Sequence, residues 1–383
     1  MARFIGGNRI TLLRSGAEFF PALISECDAA RREIHLETYI FEADETGRAV
    51  AHALMRAARR GVATHVMVDG FGSQRLDRTL AAEMREAGVR LLVYRRNISP
   101  WTLRRTRLRR LHRKIALFDA TTGLVGGINI EDELAVPRLD YAVRVEGPLV
   151  ADMYSVVKRL WGRVNAAGIG SRYPGHRWLS PSAEPRGSQR AAFVVRDNIM
   201  HRRDIEQHYL AAIAAAREEI LIANAYFLPG RTFRRALLDA AARGVRVTLL
   251  LQGRVEYILQ HYATRALYGP FLDAGISINE YQQGFLHAKV AVIDGHWATV
   301  GSSNIDPFSL LLAREANVII EDAVFARELR EELIRAINGA ALEVRRDRWR
   351  DQPWTARWLT WGCYGLVRFF TGVFAYGREH EFT

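Results

Sequence analysis

The stretch that opens Leu111-His112-Arg113-Lys114 and closes at Asp119 returns as Leu286-His287-Ala288-Lys289, closing at Asp294. No other feature constrains the chain as much. Both copies read His-x-Lys-x4-Asp. One such string arises readily by chance, because it fixes only three polar positions. Two copies with matched surroundings do not. Gly126-Gly127-Ile128-Asn129 is answered by Gly301-Ser302-Ser303-Asn304, and an acid follows each His by 28 positions, Asp140 in the first copy and Glu315 in the second. Every one of these pairs is offset by 175 residues, and upstream the likeness persists at a longer offset, Arg60-Gly61-Val62 against Arg243-Gly244-Val245. Two units of roughly 170 residues are a duplicated domain, since solenoid repeats are several times shorter.

The chain of 383 residues is long enough for two ordinary domains, and 49% hydrophobic residues supply two cores. A net charge of +12 points to an anionic partner, either nucleic acid or the negative face of a membrane. Cys27 and Cys363 stand far apart, which suggests neither a disulfide framework nor a Cys metal site. The first sixteen residues carry Arg3, Arg9 and Arg14 and no continuous apolar core, so no secretory leader is expected.

Patterning predicts an α/β fold built twice. In the first half, 33–41, 62–68 and 89–94 read as strands, with helices over 47–60 and 81–87 that stop at Gly61 and Gly88. The second half repeats this with strands at 219–226, 245–251 and 276–281 and helices at 232–243 and 262–273. Strand and helix in alternation imply α/β/α layers. Gly, Ser and Pro collect between the halves. The expected division is therefore a first domain over 1–167, a linker over 168–190, a second domain over 191–345 and a tail over 346–383.

Each motif reads as a β-hairpin. Leu111 to Phe118 alternates, so His112 and Lys114 are expected on one face of a single strand, with Asn129 near the end of the return strand. In the second copy Asp294-Gly295 is a favoured hairpin turn. Asp119 and Asp294 complete the motifs but sit at turns, where an architectural task is expected.

These residue types suit phosphodiester chemistry. The anionic oxygens of a phosphodiester repel nucleophiles, and its alkoxide leaves poorly without a proton. Two Lys and two Asn, with Gly127 and Ser302 beside them, could hold the nonbridging oxygens and favour the more charged transition state without a metal. One imidazole could attack phosphorus while the other protonates the departing oxygen and then deprotonates the incoming alcohol. The attacking ring needs a carboxylate on its other nitrogen, and Asp140 and Glu315 are the candidates. Glu37 could line the same pocket, although its repeat counterpart is Ala223.

With both motifs in place, the chain resembles the phospholipase D superfamily, whose pattern is H-x-K-x4-D followed by G-G/S-x-N, used twice. The resemblance implies two similar α/β/α domains with mixed sheets, related by a pseudo-twofold axis, and one active site at their interface. It also implies a phosphohistidine intermediate with His112 as nucleophile and His287 as acid. Within the superfamily, Ile222-Ala223-Asn224-Ala225-Tyr226-Phe227 and Glu315-Ala316-Asn317-Val318 look like bacterial cardiolipin synthases, in particular the B-type branch. That likeness implies transfer of a phosphatidyl group from one phosphatidylglycerol to another with release of glycerol. No cofactor or metal is implied. The alternatives are a phospholipase D that uses water, a transferase accepting phosphatidylethanolamine or glycerol and, less favoured, a nuclease.

Two regions point to lipid as the partner. Arg104, Arg105, Arg107, Arg109 and Arg110 form a cationic run beside Trp101 and lead into the first His, which suits anionic headgroups. The tail crowds Trp354, Trp358, Trp361, Tyr364 and Phe369 among Arg357 and Arg368, yet its longest uncharged run is about ten residues against the ~20 needed to span. Such a segment either lies in the headgroup layer or packs on the second domain. The expected partners are phosphatidylglycerol, other phospholipids and an anionic membrane surface rather than nucleic acid. The expected location is peripheral, on the cytoplasmic face of a bacterial inner membrane.

Overall fold

The computed structural model describes residues 2–95, 109–132, 137–167, 173, 177–197, 201–306, 313–351 and 353–376. Across the first half the strands run in the order Arg90–Tyr94, Ala63–Asp69, Glu33–Thr38, Lys114–Phe118, Thr122–Gly126, Tyr141–Glu146 and Ile5–Arg14. The first three are parallel, as strands joined by crossover helices must be, and the hairpin and its neighbours add antiparallel pairs. The second half gives the same order with Ser277–Tyr281, Arg246–Gln252, Glu219–Asn224, Lys289–Ile293, Trp297–Gly301, Ala313–Glu321 and Gln189–Arg196. Ile5–Arg14 pairs antiparallel with Gln189–Arg196, so the two mixed sheets meet edge to edge and neither inner edge is left open.

Local chemistry sets the helix ends. Asp44 caps Glu45–Arg59 by accepting from Gly47 N at 2.8 Å, and Asp77 caps Arg78–Glu86 by accepting from Leu80 N at 2.6 Å. Gly61 and Gly88 then leave those helices at φ of 88° and 98°, where a side chain would be strained. The predicted helix over 262–273 is two short ones, Ile258–Arg265 and Tyr268–Asp273. Pro270 lacks an N–H to continue the first helix but fits the opening turn of the second.

Each half has an outer core of its own, built around Leu54 and Val66 in the first and around Leu237 and Leu249 in the second. Between them lies a shared core drawn from both halves, where Met153 and Val157 of helix Val150–Ala167 meet Phe325 and Leu329 of helix Ala323–Ala340. The tail forms a helix, Trp354–Tyr376. Its Val367 is fully buried in the second half's core and Thr360 nearly so, while Trp354, Trp358, Trp361 and Phe369 face outward. No helix among the described residues is long and apolar enough to cross a membrane.

Candidate active site

The hairpins supply the frame. Lys114–Phe118 pairs with Thr122–Gly126 and Lys289–Ile293 with Trp297–Gly301. Both turns place two consecutive residues in the left-handed region, Asp119 and Ala120 in the first and Asp294 and Gly295 in the second. The turn carboxylates lie at the ends of the strands away from the His residues. Asp119 accepts from the backbone N–H groups of Arg31, Arg32 and Glu33, and Asp294 from those of Arg217, Glu218 and Glu219, all at 2.8–2.9 Å. Each ties its hairpin to the start of the neighbouring strand.

The His residues do not continue the hairpin strands, which corrects the single alternating strand expected for 111–118. The chain breaks at His112-Arg113, and the two-residue strand Arg110–Leu111 pairs in parallel with Ala313–Arg314 of the opposite half. Phe285–Leu286 does the same with Arg138–Leu139. His112 N donates to Arg314 O at 3.0 Å and His287 N to Leu139 O at 2.9 Å. Each His is thus seated on the other half, one residue ahead of that half's acid.

The side chains follow the crossing. His112 Nδ1 lies 3.0 Å and 3.1 Å from the two oxygens of Glu315, and His287 Nδ1 lies 2.6 Å from Asp140 Oδ2. Burial pushes the Asp140 carboxyl up, but the Lys289 ammonium and His287 outweigh it and hold it below its ordinary value. His112 and Lys114 do the same for Glu315 against burial. Both acids are ionised and can only accept, so each ring carries its proton on Nδ1 and leaves Nε2 with a free lone pair. Burial, with the nearby lysine, keeps the rings neutral: His112 is lowered, and His287 is held down to about 3 by burial and Lys289 against Asp140.

Lys114 Nζ donates to His112 O at 2.8 Å, and Lys289 Nζ donates to His287 O. Burial lowers Lys114 to about 7 and Lys289 to about 8, the carboxylates opposing. Asn129 and Asn304 are buried, and the Oδ1 of each has no hydrogen-bond partner among the described residues. Gly127 is required where it stands, because a Cβ there would sit 2.6 Å from Asp140 Oδ2. Its counterpart Ser302 instead donates to Glu315 Oε2 at 2.5 Å. Among the described residues no three His, Cys, Asp or Glu side chains converge to hold a metal ion.

Several supports escaped the sequence reading. Asp69 Oδ2 accepts from Leu111 N at 2.8 Å and Gln252 Oε1 from Leu286 N at 3.0 Å, so a polar residue closing the second parallel strand of each half anchors the residue before each His. Polar residues ending two otherwise buried strands were the available signal. Asn129 Nδ2 donates to Glu131 at 3.1 Å, and Glu131 is bound in turn by Arg138. Glu37, a candidate for the pocket, is committed to an ion pair. Both its oxygens accept from the buried Arg113, one at 2.9 Å, because an ionised group on a buried strand needs a matched partner. Of the cationic run, Arg104, Arg105 and Arg107 lie outside the described residues, as does Trp101. Arg109 and Arg110 are part-buried, and Arg110 lies 5.2 Å from the Phe71 ring centroid. Trp358 and Trp361 are exposed on the tail helix.

Duplicated hairpins, each with its His paired to the other half's carboxylate, form one two-lobed site whose residue types suit phosphodiester chemistry. The family model described as cardiolipin synthase, PLD-like domain matches residues 23–161 and again 209–337. The chain is 42% identical over 333 residues to cardiolipin synthase B of Salmonella typhi, covering 85% of this chain and 80% of that protein. It is 40% identical over 342 residues to cardiolipin synthase B of Escherichia coli K12, with the same coverage, and 31% identical over 337 residues to the major cardiolipin synthase of Bacillus subtilis, covering 86% and 68%. It belongs to this PLD-like cardiolipin synthase family. The fold is also that of a phosphatidylserine synthase from Haemophilus influenzae, with a TM-score of 0.70 at 14% identity over 98% of this chain and 96% of that one.

Proposed function

We propose that the chain is a phosphatidyltransferase that makes cardiolipin from two molecules of phosphatidylglycerol. The observation that carries this reading is the crossed pair of His bonds to buried carboxylates, which readies two neutral imidazoles beside two lysines. His112 Nε2 attacks phosphorus, and the P–O bond to the glycerol headgroup breaks. The bound phosphodiester offsets the Lys289 charge, His287 takes up a proton beside Asp140, and glycerol leaves with that proton. The terminal hydroxyl of a second phosphatidylglycerol then gives its proton to His287 while its oxygen attacks the phosphohistidine, which frees His112 and closes the cycle. One phosphodiester replaces another, so no nucleotide is consumed. Lys114, Lys289, Asn129 and Asn304 hold the nonbridging oxygens, and Asp119 and Asp294 act only by fixing the hairpins. Purified protein with phosphatidylglycerol vesicles and neither nucleotide nor divalent metal should yield cardiolipin and glycerol. Phosphatidic acid as the sole product would make it a hydrolase, and inertness to lipid with cleavage of DNA would overturn the reading.

The same reading places the protein at an anionic bilayer, on the cytoplasmic face of the bacterial inner membrane. Drawing a diacyl lipid into water costs about 0.8 kcal/mol for each methylene uncovered, so the enzyme must meet its substrate at the surface. Trp354, Trp358, Trp361 and Phe369 line one exposed side of the tail helix, and the chain carries a net charge of +12. Trp358→Ser with Trp361→Ser should weaken binding to phosphatidylglycerol vesicles about tenfold in flotation. These positions test the tail better than truncation, which would uncover the core around Val367. Unchanged flotation would leave the tail as packing material.

A further inference from the structure

The cleft beside the second motif offers hydrogen-bonding groups that the transfer chemistry above does not use. It is a narrow, solvent-open cleft beyond the end of strand Arg246–Gln252, lined by Tyr226, Gln252, Arg254, Glu256, Tyr257 and Gln260 among others. It adjoins the catalytic centre. Ala225 N donates to Ala288 O between His287 and Lys289, and the Glu256 carboxylate acts electrostatically on Lys289.

Gln252 is the informative side chain. It is nine-tenths buried, and its Oε1 is taken by Leu286 N, yet Nε2 has no partner among the described residues. A buried amide donor is costly to leave unmatched. Its first-half counterpart Asp69 has no such group to offer, since its oxygens accept from Leu111 N, Phe71 N and Gly72 N. The same cleft is lined by Glu256, an exposed carboxylate that accepts from Tyr226 OH at 2.5 Å. An unmatched donor and an acceptor among the residues lining one cleft, beside the His that handles the alcohol, suit a group able both to accept and to donate.

We propose that this cleft is the acceptor-headgroup subsite and that it recognises a glycerol-type polyol, with Gln252 and Glu256 as specificity-determining residues. The inference rests on the transferase reading and deepens it. When the terminal oxygen of glycerol points at phosphorus, its neighbouring hydroxyl accepts from Gln252 Nε2 and donates to Glu256. Propan-1-ol has only methyl and methylene groups left for the cleft. Ethanolamine presents an ammonium that can donate to Glu256 but has no lone pair for Gln252.

The test is a competition. Vesicles of phosphatidylglycerol are incubated with the enzyme and equal concentrations of deuterated glycerol, propan-1-ol and ethanolamine, and the phosphatidyl products are counted by mass spectrometry. The wild type should capture glycerol at least tenfold over propanol and over ethanolamine. Glu256→Gln and Gln252→Glu, the latter keeping an oxygen for Leu286 N, should bring the glycerol-to-propanol ratio to within about twofold of unity. Phosphatidylpropanol is the internal reference, so a loss of folding lowers every product without moving the ratio. An unmoved ratio in both variants overturns the subsite. Equal use of glycerol and propanol by the wild type overturns it while leaving the transferase intact, and the absence of transfer to any alcohol removes both.

Discussion

The halves share a frame but hold their acids differently. His112 leans on Glu315, whose Oε2 also takes a hydrogen bond from Ser302. His287 leans on Asp140, one methylene shorter, with Gly127 where the other half has Ser302. Asp140 has a second hydrogen bond too, from Tyr141 N at 2.8 Å, but it falls on the oxygen away from the ring, whereas Ser302 donates to an oxygen that meets His112, so Glu315 has less charge left to stabilise an imidazolium. The difference suits the first pair to a neutral nucleophile and the second to a ring that must hold a proton. In the free site burial and Lys289 keep His287 neutral. A bound phosphodiester offsets the lysine's charge, and Asp140 can then favour the protonated form.

The most severe way to break this assignment is to remove each ring. His112→Asn and His287→Asn should each cost at least about 10⁴-fold in cardiolipin formation, since the two rings act as one unit. A phosphatidyl ester of p-nitrophenol separates them, because that leaving group departs without a proton. His287→Asn should recover a burst of about one equivalent of p-nitrophenol per site and then stall, because the second step still lacks its base, and His112→Asn should release none. The opposite result would exchange their roles.

The acids come next. Asn at 140 or Gln at 315 keeps the shape but lets the ring take the wrong tautomer, so losses of roughly 10²–10⁴-fold are expected. Asp140→Asn should be the worse of the two, since Asp140 also faces Lys289 at 3.8 Å. Equal losses, measured on protein of unchanged melting temperature, would remove the asymmetry argued above.

The pairing of these four residues marks where the sequence was legible. Two motifs at one offset revealed the duplication, the hairpins and the polar groups of the site, because the period of alternation and the Asp-Gly turn are local properties. The crossing was not legible. Equal spacing from His to acid in each copy leaves open whether His112 meets Asp140 or Glu315, and that choice is made by two-residue strands pairing between halves. The break at His112 was hidden by an alternation that runs on through it. Arg113 with Glu37 escaped for a related reason. The second half carries Ala288 and Ala223 at those places, so no repeat announced the ion pair. Strands Ile5–Arg14 and Gln189–Arg196, which join the sheets, lie outside the strand-helix alternation that revealed the rest.

The lysines differ by a smaller margin. Lys114 is lowered to about 7 and Lys289 to about 8, both by burial, with Glu256 among the charges that hold Lys289 higher. Only the charged form holds a phosphodiester, so kcat/KM should fall as pH rises through about 7 and more steeply beyond about 8, approaching tenfold per unit for each lysine lost. A bound anion restores both charges, and kcat should stay flatter over the same range. The sign for stability follows from linkage. Unfolded lysines bind protons up to about 10.4, whereas these have released theirs, so the pair's cost to the fold should diminish as pH rises from about 7 toward that value. A kcat/KM that stays level to pH 9 would mean that the lysines are charged before substrate arrives.

The mildest probe is Ser302→Ala, which frees Glu315 Oε2 from its hydroxyl and leaves the carboxylate to His112 alone. The first pair then comes to resemble the second. His112 should become more basic and spend more of its time protonated, and a protonated ring cannot attack. The loss should be small near neutrality and grow as pH falls, so the acid limb of the kcat/KM profile should move upward. A uniform loss at every pH would mean that Ser302 only braces the strand through Ala316 N, which it also accepts at 3.1 Å. The two halves would then differ in packing, and the hydroxyl would have no part in keeping the nucleophile neutral.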